Sequence, residues 1–110
     1  MALFASNGTL SKDLPAPLDR VREAIESTAR SEGHHIDAVS SDRLRFDITT
    51  KRTALSWGTH LAITLEEAGG GTRMTVDYDN SPGSPKALMD KKKKNTKSAQ
   101  TFADQLEAAL

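Results

Sequence analysis

Hydrophobic and polar residues alternate most regularly in the stretch THLAITLEEAGGGTRMTVDY, Thr59 to Tyr78. Leu61, Ile63 and Leu65 alternate with Ala62, Thr64 and Glu66; Met74, Val76 and Tyr78 alternate with Arg73, Thr75 and Asp77. A period of two puts one face of each arm in a core and the other in water. Gly69, Gly70 and Gly71 between the arms supply the positive φ angles of a tight reversal, so the stretch predicts a β-hairpin. A second hairpin is expected from His34–Ser40 and Arg43–Lys51, turning at Ser41 and Asp42. Its second arm alternates Leu44, Phe46 and Ile48 with Arg45, Asp47 and Thr49; its first places Ile36 and Ala38 on one face, and Val39 breaks the period. Leu3–Leu10 is read as a short edge strand. The segment 53–58 links the hairpins, with Gly58 allowing a bend.

Two stretches change to helical spacing. Leu18, Val21, Ala24, Ile25, Thr28 and Ala29 form one stripe, which predicts a helix over Pro17–Glu32 that Gly33 stops. After the turn-forming run DNSPGSP, Pro85–Leu110 reads as one long helix. Its common face holds Leu88, Ala99, Phe102, Ala103, Leu106, Ala109 and Leu110, but also Lys92 and Asn95. The order strand, helix, four strands, helix predicts an α+β two-layer sandwich: an antiparallel sheet covered on one face, with the long C-terminal helix packed on it.

At 110 residues the chain has the length of one domain, residues 1–110. It should bury roughly two-thirds of its unfolded surface, enough for one core. Fifteen basic residues balance fifteen acidic ones, which argues against a nucleic-acid partner. With no cysteine, disulfides, thiolate metal sites and a cysteine nucleophile are excluded. The first residues show no basic start and long apolar run, and no segment has the roughly 20 apolar residues of a membrane span, so a cytoplasmic location is expected.

This order resembles the helix-grip fold of the Bet v 1-like, START-related superfamily. The resemblance rests on Ser6–Glu26, where a strand runs through Pro-Ala-Pro into VREAIE, on SWGTHLAITLEEAGGGTRMTV, and on the terminal helix. It implies a curved sheet gripping that helix and, from the superfamily's ligands, a site for a hydrophobic molecule. The additional strands and small helices of larger members are missing, which implies a smaller cavity. The resemblance implies no catalytic residue and no cofactor.

The side chains that would line such a site are Phe46, Ile48, Leu61, Ile63, Met74, Val76 and Tyr78 from the sheet, and Leu88 and Phe102 from the last helix. Trp57, a loop aromatic, would stand at the rim. Lys92 on the inward stripe would snorkel or sit over the pocket mouth. The expected function is non-enzymatic binding of an apolar or amphipathic small molecule. Two alternatives are a protein-interaction module using the polar sheet face (Arg43, Arg45, Thr49, His60, Thr64, Arg73, Thr75) and a lyase or hydrolase using His60 or Tyr78. Adjacent His34 and His35 point to opposite faces of a strand and cannot jointly ligate one metal. A set of His60, one of these and Asp37 or Asp47 lacks the spacing of a zinc site. Lys86, Lys91–Lys94 and Lys97 spread around a helix and read as a solvated face, with anion binding the sharper alternative. The triple glycine lacks the GxxxxGK[ST] pattern and joins two strands, so it is not a phosphate loop.

Overall fold

In the computed structural model of the protein, residues 8–51, 58–80 and 91–110 are described. The elements are β1 (Gly8–Leu14), α1 (Leu18–Ser31), β2 (His35–Val39), β3 (Arg45–Thr49), β4 (Thr59–Ala68), β5 (Gly71–Asn80) and α2 (Lys91–Ala108). The strands form one antiparallel sheet in the order β1-β5-β4-β3-β2. Residues of both helices and of the inner sheet face share one hydrophobic cluster, which gives the expected two-layer α+β arrangement.

The central hairpin forms because two ten-residue strands of sustained alternation meet at a two-residue turn. Gly69 and Gly70 have φ of 58° and 85°, and Ala68 pairs with Gly71. Both positive angles suit a type I′ reversal. Gly71 belongs to the strand, contrary to its expected place in the turn. It must be small because a β-carbon there would run into the Leu14 carbonyl oxygen.

The α1 boundaries lie within a residue of those expected, with Pro17 preceding the helix and Gly33 beyond it at φ 75°. Val21, Ala24, Ile25, Thr28 and Ala29 are its buried stripe.

Four expectations need correction. The first strand, described over Gly8–Leu14, continues past its expected end at Leu10; residues 3–7 of the expected Leu3–Leu10 span lie outside the described residues. Its hydrogen bonds come from β5, so pairing and not local apolar content decides where it lies. In β2 the register shifts between Ile36 and Ala38, so Val39 and not Ala38 shares the face of Ile36: Ile36 faces Ile48, and Val39 faces Phe46. The turn to β3 is longer than Ser41-Asp42. Ser40 bonds Arg45 across it, and Arg43, at φ 56°, turns to place its guanidinium 2.8 Å from Glu26 of α1, so Arg43 leaves the outer sheet face. Among the described side chains of α2 the buried positions are Asn95, Ala99, Phe102, Ala103 and Leu106; Ala109 lies past the helix end and is exposed.

Candidate functional site

Alternation brings Phe46 and Ile48 of β3, Leu61 and Ile63 of β4, and Met74, Val76 and Tyr78 of β5 onto the inner face. Phe102 of α2 covers them, and all eight lie in the single core cluster. Phe46, Ile48, Leu61, Ile63, Met74 and Val76 are each 0 % exposed, so no water-sized space touches them. Leu88 and Trp57 lie outside the described residues, as does the Lys92 side chain, although its backbone is in α2.

The inward stripe of α2 changes character along its length. From Ala99 to Leu106, about 10 Å of helix, it is apolar. One turn earlier the inward residue is Asn95, 3 % exposed. The sheet opposite changes in step. Thr59, at the start of β4 and 1 % exposed, donates its hydroxyl to Asn95 Oδ1 at 2.8 Å. The Thr59 N–H donates to Thr50 Oγ1 at 2.7 Å, and the Thr50 N–H donates back to the Thr59 carbonyl at 2.9 Å. Tyr78, the innermost aromatic of β5, accepts a hydrogen bond from Thr96 Oγ1 at 2.8 Å on its hydroxyl. Its ring lies over Gly8, where a β-carbon would collide with it. One end of the sandwich is thus a buried set of hydroxyls and an amide; the rest of the interior is mainly hydrocarbon, with Thr28 and Thr72 its buried polar side chains. Asn95 was visible in the sequence as an interruption; Thr59 was not singled out, although it has the same strand parity as Leu61.

Lys12, an inward position of the edge strand β1, reaches Asp104 (3.2 Å) and Glu107 (3.1 Å) of α2. Hydrogen bonds to Glu107 and Asp104 hold its ammonium above the usual lysine range despite some desolvation.

The outer face is polar and largely paired within itself. Asp47 lies 3.5 Å from both Arg45 and His60, Arg73 bonds Asp13 at 3.0 Å and lies 3.7 Å from Glu66, and the Thr9 hydroxyl bonds Asp77 at 2.6 Å. Because Ala62 faces Asp47 on one side and Asp77 on the other, the face has a recess. Its volume is about 270 Å³, lined by Gly8, Thr9, His60, Ala62, Asp77, Tyr78 and Asp79. His60 points outward and Tyr78 inward, so the two candidate catalytic groups do not converge. At the other edge Asp37 accepts from Thr49 at 2.6 Å and meets His35 at 2.7 Å. Burial would raise its carboxyl, but these two bonds outweigh burial and hold it below the usual range. Among the described residues no three His, Asp or Glu side chains are grouped to hold a metal ion, and no helix is long and apolar enough to cross a membrane.

Three solved structures show what this arrangement resembles. The crystal structure of Ara h 8.0201 matches with a TM-score of 0.66 over 93 % of this chain and 95 % of that one, at 13 % identity. Protein Ms6760 from Mycobacterium smegmatis matches at 0.62 over 99 % and 93 %, at 14 % identity. A START superfamily protein from the same organism matches at 0.58 over 93 % and 94 %, also at 14 % identity. No family model and no curated protein matches the sequence. The fold is the helix-grip fold of Bet v 1-like and START proteins.

Proposed function

We propose that this domain is a non-enzymatic binder of a small amphipathic molecule, taken up between the sheet and the first half of α2. The observation that carries the reading is the change from Ala99–Leu106 to Asn95 along one helix stripe, matched by Thr59 and Tyr78 on the sheet. A buried amide needs dedicated hydrogen-bond partners where hydrocarbon needs none, and the fold supplies Thr59 as one for Asn95. Small-molecule sites combine an apolar wall with a few placed polar groups that fix orientation. In this reading Phe46, Ile48, Leu61, Ile63, Met74, Val76 and Phe102 receive the apolar body, and Thr59, Tyr78 and Asn95 receive the polar end. The sequence pattern would add Trp57, Leu88 and Lys92, which lie outside the described side chains, to that site. Because Phe46, Ile48, Leu61, Ile63, Met74 and Val76 are each 0 % exposed, uptake in this reading opens α2 from the sheet at its polar end. A binding role is favoured over a catalytic one by the opposite orientations of His60 and Tyr78.

The test is a chemical-shift screen with a fatty acid, a sterol and an aromatic metabolite. Binding is expected to shift Thr59, Tyr78, Asn95 and Phe102 together, to raise the melting temperature with ligand concentration, and to change the emission of the sole tryptophan. Shifts confined to the outer recess around Ala62, or none at millimolar concentrations of all three compounds, would overturn the reading.

A further inference from the structure

His34 joins three parts of the fold. Its backbone N–H closes the end of α1 on the Ala29 carbonyl at 2.8 Å. Its Nδ1 accepts the backbone N–H of Lys51, just beyond β3, at 2.9 Å. Its half-buried ring lies 5.8 Å from that of Phe102 on α2, tilted by 53°.

The Lys51 bond dictates a protonation state. A neutral imidazole can accept at Nδ1; an imidazolium carries hydrogen on both nitrogens and cannot accept. Protonation therefore sets an N–H against an N–H at a site that burial already makes unfavourable for charge. The charged groups facing the ring come from two directions. Glu32, at the end of α1, attracts a proton to it and is itself bonded by Gln105 of α2 at 3.0 Å; Lys51 repels one. From α2, Phe102 lies against the ring and Gln105 bonds Glu32, and neither is charged. His35 points the other way, toward Asp37. Desolvation dominates and holds the His34 imidazole below the usual histidine range.

We propose that His34 is a pH-sensitive latch: neutral, it fastens the end of α1, the chain at Lys51 and Phe102 of α2 together; protonated, it releases Lys51 and loosens α2 on the sheet. The latch acts on the Phe102 half of α2 rather than on the polar end where uptake opens the sheet, and it rests on contacts present without any ligand. The sign of the effect follows from the fold holding the neutral form. Its contribution is complete above the ordinary histidine value of 6.5 and is lost as pH falls through the lower folded value.

The experiment uses ligand-free protein, so its outcome is independent of whether any molecule binds. Heteronuclear spectra and amide exchange are followed from about pH 8 to about pH 5, the range in which histidines change charge. The Lys51 amide and the Phe102 ring are expected to shift along the same titration curve as the His34 imidazole. Protection of the amides of residues 99–106, corrected for intrinsic exchange, should fall by up to about tenfold per pH unit in that window. In His34→Asn the side-chain oxygen takes the place of Nδ1 and does not titrate, so the fall should disappear. If Lys51 and Phe102 do not follow His34, or if His34→Asn loses protection over the same range, the proposal is overturned. If that variant does not fold, co-titration in the unsubstituted protein decides alone.

Discussion

The hydroxyl of Thr59 donates to Asn95 Oδ1 across 2.8 Å of a mainly apolar interior, joining the first residue of β4 to α2. Both partners are withdrawn from water, so removing one leaves the other with a bond to replace and no solvent to supply it. Thr59→Val is therefore expected to cost about 1–3 kcal/mol in urea unfolding. A double-mutant cycle with Asn95→Ala should give a coupling energy of at least about 0.5 kcal/mol. Additivity of the two substitutions would mean that the bond contributes nothing.

The glycines of the central hairpin separate two kinds of constraint. Gly70 needs its positive φ but has open space around it, whereas Gly71 needs the space that the Leu14 carbonyl occupies. Gly70→Ala should cost about 1–2 kcal/mol, the strain of a left-handed alanine, and leave β1 paired. Gly71→Ala should cost more and expose the β1 amides to exchange, because backbone must move to admit the methyl group. Equal losses with β1 protected in both would contradict this.

The Lys12 contacts lie near the surface, where ion pairs are weak and screened by salt. Lys12→Met should destabilise by no more than about 1 kcal/mol in dilute buffer and by less in high salt. The ammonium is raised above its ordinary value of 10.5, so its contribution is complete below that value and lost as pH rises through the folded one. Unfolding curves taken on the alkaline side should show this loss in the unsubstituted protein and not in Lys12→Met.

At the β2 edge the sign is reversed. Asp37 is held below its ordinary value of 3.8 by Thr49 and His35, so its contribution is present above that value and disappears as pH falls through the folded one. Thr49→Val should lower stability slightly near neutrality and bring the acid transition to higher pH. Acid unfolding followed by circular dichroism measures the shift, and an unchanged midpoint would remove Thr49 from the account.

The parts of the fold that could be read beforehand are those whose pattern is locally sustained. β4 and β5 keep strict alternation around glycine, and α1 keeps one stripe from Leu18 to Ala29. β1 could not be placed that way. Leu10 and Leu14 are its only large apolar residues, Lys12 stands between them on the inward side, and what makes the segment a strand is the backbone of β5. The bulge of β2 was visible only as a broken period at Val39, because a two-residue repeat does not say where an extra residue sits. Of the candidate site, the apolar wall follows from parity alone. Its polar end needed a partner for Asn95 that lies 36 positions away in sequence, a distance over which no periodic pattern carries information.

The pairing of β1 with β5 also sets an order of assembly. Thr9 and Asp77 meet across 68 positions, while Ala68 and Gly71 meet across a tight turn. Closing the long loop is entropically unfavourable until β5 is already held by β4, so the hairpin offers the template and β1 docks late. Until it does, β5 is an open edge of ten residues, and a second chain in the same unfinished condition presents the matching one. Yield on refolding should therefore fall with protein concentration even under conditions in which the finished molecule is stable.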